Sequence, residues 1–291
     1  MTADSGMTPD SGMTPGSAMT AAGLAVERRG PVGWLIFDRP RAANAMDAAM
    51  LAALPLMWRE LDADPGVRAI VVTGRGRAFQ TGLDMAALAR DPASLREATR
   101  RTRDADLQLT GWHLGLATPV IAAVNGVCAG GGLHFVVDAD IVIASTAATF
   151  TDPHVSVGQA SAWEAVGLTR RIPASVAARM ALAGRHERLD AARALQVGLV
   201  SEVVEPGDLE AAAQQAGERI AAADPRIVQV VKRALWAGAE TGRTAAQRWA
   251  AASARDLTGS DARDTSGSDA RDTSGSDARD TTGSPARDTT G

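Results

Sequence analysis

Val124-Asn125-Gly126-Val127-Cys128-Ala129-Gly130-Gly131-Gly132-Leu133-His134 begins at the end of an apolar run and breaks into three consecutive glycines. It then resumes as an apolar stretch through Phe135, Val136 and Val137. The β-branched run at 120–124 predicts a buried strand, and the segment after the glycines predicts a helix. Glycines between them let the backbone turn sharply and come close to a bound molecule. The helix then presents its free N–H groups and its positive dipole end to whatever lies there. A second turn of this kind lies upstream in Gly74-Arg75-Gly76-Arg77-Ala78-Phe79-Gln80-Thr81-Gly82-Leu83-Asp84-Met85, directly after the apolar run at 69–73. Neither turn has the spacing of a dinucleotide fingerprint or the lysine of a phosphate-binding P-loop.

Outward from these turns, short apolar runs at 33–37, 69–73, 120–124 and 141–144 predict strands. Helical periodicity at 48–62 puts Met50, Leu54, Met57 and Leu61 on one side. Further helices are expected at 174–182, 190–198, 206–223 and 226–241, so the last third is mostly helical. Strands alternating with helices indicate an α/β protein.

In this order the segments resemble the crotonase superfamily, the enoyl-CoA hydratase/isomerase family, over roughly residues 33–241. The matching points are Arg39-Pro40 with Asn44-Ala45-Met46, then Ala78-Phe79 with Gly82-Leu83-Asp84-Met85, and Pro119-Val120-Ile121-Ala122-Ala123-Val124-Asn125-Gly126. The three glycines, Ala139-Asp140-Ile141, Phe150, Gly158, Gly184 and Gly198-Leu199-Val200-Ser201-Glu202-Val203-Val204 complete the series. The resemblance implies stacked ββα units with C-terminal helices that make a homotrimer or a dimer of trimers. It also implies an oxyanion hole made by the backbone N–H groups of Leu83 and Gly131. Removing a proton beside a thioester, or adding water to its conjugated alkene, puts negative charge on the carbonyl oxygen. Preorganised donors stabilise that charge. Coenzyme A would enter as part of an acyl-CoA substrate, with no further cofactor.

The hydratases that the chain resembles use two glutamates as acid and base. The matching positions here hold His134 and His154. Histidine transfers protons near neutrality, and Asp152 and Glu164 are candidates to orient or charge-stabilise His154. Asp138, four residues after His134, is a candidate partner for that ring. Trp163 either walls the acyl pocket or packs in the core. Trp34, Trp58, Trp112, Trp236 and Trp249 read as core or subunit contacts. Arg75 and Arg77 are the candidates to meet the phosphates of CoA, beside a binding turn of Gly82, Leu83, Asp84 and Met85. Two histidines twenty residues apart have no zinc-like spacing, and no metal site is expected. Three functions fit: an acyl-CoA enzyme of hydratase/isomerase type, a hydrolase of a C–C bond in a β-dicarbonyl compound or its CoA ester, and a non-catalytic acyl-CoA binder. Ser156 and Ser161 lie near His154, but neither follows the strained strand-to-helix turn of a nucleophilic serine.

The bulk numbers agree. Apolar residues make up 45% of the 291, enough for a sizeable core. A net charge of −4 lacks the basic footprint of a nucleic-acid binder. Cys128 is the only cysteine, so no intrachain disulfide forms and a reducing, cytoplasmic setting is expected. It reads as a small buried hydrophobe. No apolar run is long enough to span a membrane. Both ends are repetitive: Met-Thr-x-Asp-Ser-Gly in the first twenty residues, and an Asp-Thr-Ser-Gly-Ser-Asp-Ala-Arg unit from about 256. Short of large apolar side chains, these segments cannot offset the entropy of ordering. The expected organisation is therefore a flexible tail at 1–21, one domain at 22–255 (core 22–200, helices 201–255), and a second tail at 256–291.

Overall fold

The computed structural model describes residues 18–93, 96–97 and 108–264. A hairpin opens the chain, with strand β1 (Ala18–Ala21) returning as β2 (Leu24–Arg29). It continues through β3 (Val32–Phe37), helix α1 (Ala48–Ala63), β4 (Ala69–Gly74), β5 (Ala78–Gln80) and α2 (Met85–Arg90). Next come β6 (Val120–Val124), β7 (Val127–Ala129), α3 (His134–Val137), β8 (Ile141–Ser145) and β9 (Thr149–Thr151). Helices α4 (Trp163–Arg171) and α5 (Ala174–Ala183), strand β10 (Leu189–Asp190), α6 (Ala191–Gln196) and β11 (Glu202–Val204) follow. The chain then runs through α7 (Leu209–Ala221), α8 (Pro225–Glu240) and α9 (Arg243–Asp264).

These strands form two sheets. The larger has the order β1-β2-β3-β4-β6-β8-β11, antiparallel at the hairpin edge and parallel from β3 onward. The smaller has the order β10-β9-β7-β5, with β5, β7 and β9 parallel. Each unit gives one strand to each sheet before its helix: β4 and β5, β6 and β7, β8 and β9. These are the stacked ββα units expected from the sequence.

The large sheet is buried on both faces, which explains why its strands read as continuous apolar runs. On β3, Leu35 and Phe37 enter one core cluster while Val32, Trp34 and Ile36 enter the other. Ile70 and Val72 against Val71 on β4 repeat the period of two. Leu209 and Ala213 of α7 cover the second face. Helix α1 covers the first with Met50, Leu54, Met57 and Leu61, as its periodicity predicted. Asp47 caps α1, its side chain accepting from the Met50 N–H. Cys128 is buried, and burial raises its thiol pKa.

Both expected tail boundaries move. Residues 18–21 are strand because Ala22 and Gly23 both take positive φ (53° and 73°), a tight turn that pairs β1 with β2 through the backbone. At the other end α9 runs to Asp264, past the boundary expected at 256. A helix satisfies its N–H and C=O groups locally, so it can enter a segment poor in large apolar side chains. The remainder of both tails, 1–17 and 265–291, lies outside the described residues. Among those described, no helix is long and apolar enough to cross a membrane.

Candidate active site

Because β5, β7 and β9 are parallel neighbours, their C-terminal ends share one edge of the small sheet. The segments that leave that edge are 81–84, 130–134 and 152–154, the same segments the sequence marks as chemical. Open parallel sheets commonly bind ligands beyond this edge.

Gly82 leaves β5 with φ +85°. Met46 N–H donates to the Gly82 carbonyl (2.8 Å), and Asp84 N–H donates to the Met46 carbonyl (2.9 Å). Leu83, bridged in parallel to Met46, therefore turns its own N–H to the opposite side. Gly131 packs close to this turn: a Cβ built on Gly82 would stand 3.0 Å from the Gly131 nitrogen. Gly131 is the second residue of a short 3-10 helix, Gly130–Leu133, whose first N–H groups have no acceptor within the helix. Of the three consecutive glycines Gly132 packs hardest, since a Cβ there would lie 2.2 Å from the Gln80 carbonyl oxygen. Gly132→Ala is expected to push this turn off β5 and destabilise the fold by about 1–3 kcal/mol or more, read as a lower Tm in calorimetry.

Leu83, Gly131, His134, His154 and Glu164 line one cavity of about 120 Å³. His154 Nδ1 lies 2.6 Å from Asp152 Oδ1, and its backbone N–H donates to the same oxygen at 3.3 Å. Asp152 is fully buried, and Ser161 Oγ donates a hydrogen bond to its other oxygen. An ionised carboxylate only accepts, so Asp152 fixes the proton of His154 on Nδ1 and leaves Nε2 facing the cavity. There Nε2 stands 3.6 Å from Glu164 Oε1, and His134 Nε2 stands 3.2 Å from the same oxygen. Glu164 thus joins the two imidazoles. Burial alone would raise its carboxyl; the His134 hydrogen bond and the charges of both histidines outweigh that and take it down to about 2.

Asp138 turns mainly to other partners. Thr110 Oγ1 donates to Asp138 Oδ2 (2.8 Å) and, having one proton, accepts from His113 Nδ1 (2.6 Å). Burial lifts the Asp138 carboxyl to about 6 against the opposing effects of His134, Thr110 and Arg171. Burial and the nearby His134 take His113 down to about 3. Donor atoms of His113, His134 and Asp138 lie within 4.8 Å of one another, with the Thr110 hydroxyl already bridging two of these residues. Sequence reasoning missed His113, which carries no recognisable motif.

Arg75 pairs with Asp38 (2.7 Å) and Glu27 (3.1 Å), and Arg77 is exposed. Beside Leu83, Asp84 and Met85 lies a separate cleft of about 490 Å³, where the arginines are Arg39, Arg41 and Arg90. Arg39 bonds Asp84 (2.9 Å) and Asp47 (3.1 Å), while Arg41 and Arg90 are exposed. Asp84 caps α2 by accepting from the Ala87 N–H. Burial would raise its carboxyl, but that bond and Arg39 hold it below its ordinary value.

Trp34 and Trp58 are core residues, as expected. Trp112 and Trp236, also read as core or subunit contacts, line a cavity of about 770 Å³ together with Trp163. The reason is local. Trp236 is drawn to Asp140 through its ring N–H (2.6 Å), and Trp112 stacks obliquely against it.

Paired ββα units, with their helices and the loops gathered at one edge of the small sheet, define a protein of the crotonase fold. The enoyl-CoA hydratase/isomerase family model matches residues 27–270. An (E)-benzylidenesuccinyl-CoA hydratase of Thauera aromatica is 37% identical over 217 residues, covering 74% of this chain and 82% of that protein. Enoyl-CoA hydratase EchA19 of Mycobacterium tuberculosis is 32% identical over 216 residues, covering 72% and 79%. The crystal structure of an enoyl-CoA hydratase/isomerase from Mycobacterium paratuberculosis superposes with a TM-score of 0.72 at 34% identity, covering 81% of this chain and 89% of that one. The chain belongs to the enoyl-CoA hydratase/isomerase family of the crotonase superfamily.

Proposed function

We propose that this chain hydrates an enoyl-CoA thioester with two histidines in place of the usual pair of glutamates. The observation that carries this is the convergence of Leu83, Gly131, His134, His154 and Glu164 on one small cavity. The thioester oxygen rests on the N–H groups of Leu83 and Gly131. His154 Nε2 takes a proton from water as the water oxygen bonds to Cβ. The alkene electron pair moves toward the carbonyl, and the resulting enolate oxygen is held by the two amides. The His134–Glu164 pair then supplies the proton to Cα. Asp152 steadies His154 as its ring becomes charged. Coenzyme A enters only as part of the substrate, with Arg41 and Arg90 beside Leu83 as its phosphate partners. A homotrimer would cover the exposed apolar stripe Ile227, Val231 and Leu235 on α8.

The Asp152–His154 pair also favours a second reading, hydrolysis of a C–C bond in a β-dicarbonyl compound, in which His154 activates water toward a carbonyl. Incubation with enoyl-CoA esters of several lengths should bleach the conjugated chromophore. CoA-ester binding without turnover, together with cleavage of a cyclic diketone, would replace the first reading with the second. Binding with neither reaction would make the chain an acyl-CoA binder.

A further inference from the structure

Aromatic residues are scarce here, with six tryptophans, four phenylalanines and no tyrosine. Phe37, Phe79, Phe135, Phe150, Trp34 and Trp58 are all fully buried in the core. Of the four remaining indoles, Trp112, Trp163 and Trp236 line a cavity of about 770 Å³, and Trp249 joins Trp112 and Trp236 at a neighbouring one of about 550 Å³. The larger cavity shares His134 and Trp163 with the small cavity holding Leu83, Gly131 and His154. An acyl group too large for the small cavity would have this larger space next to it, across His134 and Trp163.

Resting on the reading of the site as an acyl-thioester pocket, we infer that the acyl group it selects carries an aromatic ring rather than a straight alkyl chain. The indoles present a prepared ring-binding surface. Trp112 and Trp236 have centroids 6.0 Å apart and are tilted by 44°. Trp236 is fixed by its hydrogen bond to Asp140 and by the Arg171 guanidinium, 5.2 Å from its ring centroid. Arg171 is itself anchored, its Nε donating to the Val137 carbonyl at 2.8 Å. Rings favour offset or edge-to-face contact with such surfaces beyond what buried area alone provides. A flexible chain gains less from them and loses more conformational freedom on binding. Trp163, 53% exposed, lines both cavities and adds a third indole to this surface.

The test is calorimetric titration of the full chain with three saturated, non-reacting esters: 3-phenylpropanoyl-CoA, hexanoyl-CoA and nonanoyl-CoA. The aryl ester is expected to bind at least about tenfold more tightly than either straight-chain ester. Trp112→Ala and Trp163→Ala should each remove most of that preference. Both indoles are more than a third exposed (41% and 53%), so neither truncation hollows the core, and circular dichroism verifies folding. Equal affinity for all three esters overturns the ring inference and leaves the thioester reading standing. So does a preference that survives both substitutions. Failure of all three to bind, with no enoyl-CoA turned over, brings down the thioester reading and this inference with it.

Discussion

Glu164→Gln is expected to lower kcat by at least about 100-fold, at the lower end of what a misplaced proton-transfer group costs. Glutamine keeps the shape of the side chain and one acceptor oxygen, so the cavity stays filled. What disappears is the charge that two imidazoles share, at 3.2 and 3.6 Å. His134 loses the anion that holds its Nε2–H, and His154 loses the carboxylate 3.6 Å from its own Nε2. KM should change by much less, because the contacts proposed for the thioester oxygen and the CoA end lie elsewhere. A variant with full kcat would mean that Glu164 merely packs between the rings.

The same substitution has a pH signature in stability. The Glu164 carboxyl sits at about 2 instead of its ordinary 4.5. A depressed carboxyl pKa contributes stability above the unfolded value, and that contribution is lost as pH falls through the folded value. Its upper bound is on the order of 3 kcal/mol, shared with the two histidines. Denaturant titrations should therefore show wild type more stable than Glu164→Gln at neutral pH. The gap should close between about pH 4.5 and 2. A gap independent of pH would place the effect in packing.

The parts of this molecule legible in its sequence are those set by local or strictly periodic constraints. Strand β6 shows in residues 120–124 because both its faces are buried. The glycines at 82 and 132 show because Gly82 takes φ +85° and a Cβ on Gly132 would lie 2.2 Å from the Gln80 carbonyl oxygen. His134 and His154 were found through the resemblance, since nothing in the spacing of two isolated histidines marks them. Strand β1 was hidden because its pairing depends on a two-residue turn at Ala22 and Gly23 and on backbone bonds, which leave no apolar pattern. Long-range charge pairing decided the arginines. Asp38 and Glu27 engage Arg75, whereas Arg41 and Arg90 are brought beside Leu83 by the fold alone. His113 and the indole-lined cavity arise where the 110–113 segment meets α4 and α8, far away along the chain, and no sequence window contains that meeting.

His154→Ala is expected to lower kcat by roughly 10²- to 10⁴-fold, the range for loss of a general base. Added imidazole should restore part of the activity by occupying the vacated space beside Asp152. That rescue separates chemistry from structure, because a ring that only fills volume would show a lowered Tm and no response to imidazole. Asp152→Asn should reduce kcat by a smaller factor with little change in KM. The asparagine amide can donate to Nδ1, which drives the ring proton onto Nε2 and removes the lone pair that faces the cavity. Ser161→Ala leaves the carboxylate in place and removes one of its donors, so its effect should be smaller again. The order His154→Ala, Asp152→Asn, Ser161→Ala follows from distance to the reacting water: the ring touches it, the carboxylate holds the ring, and the hydroxyl holds the carboxylate. An Asp152→Asn enzyme with wild-type kcat would remove His154 from the proton path and leave Glu164 as the base.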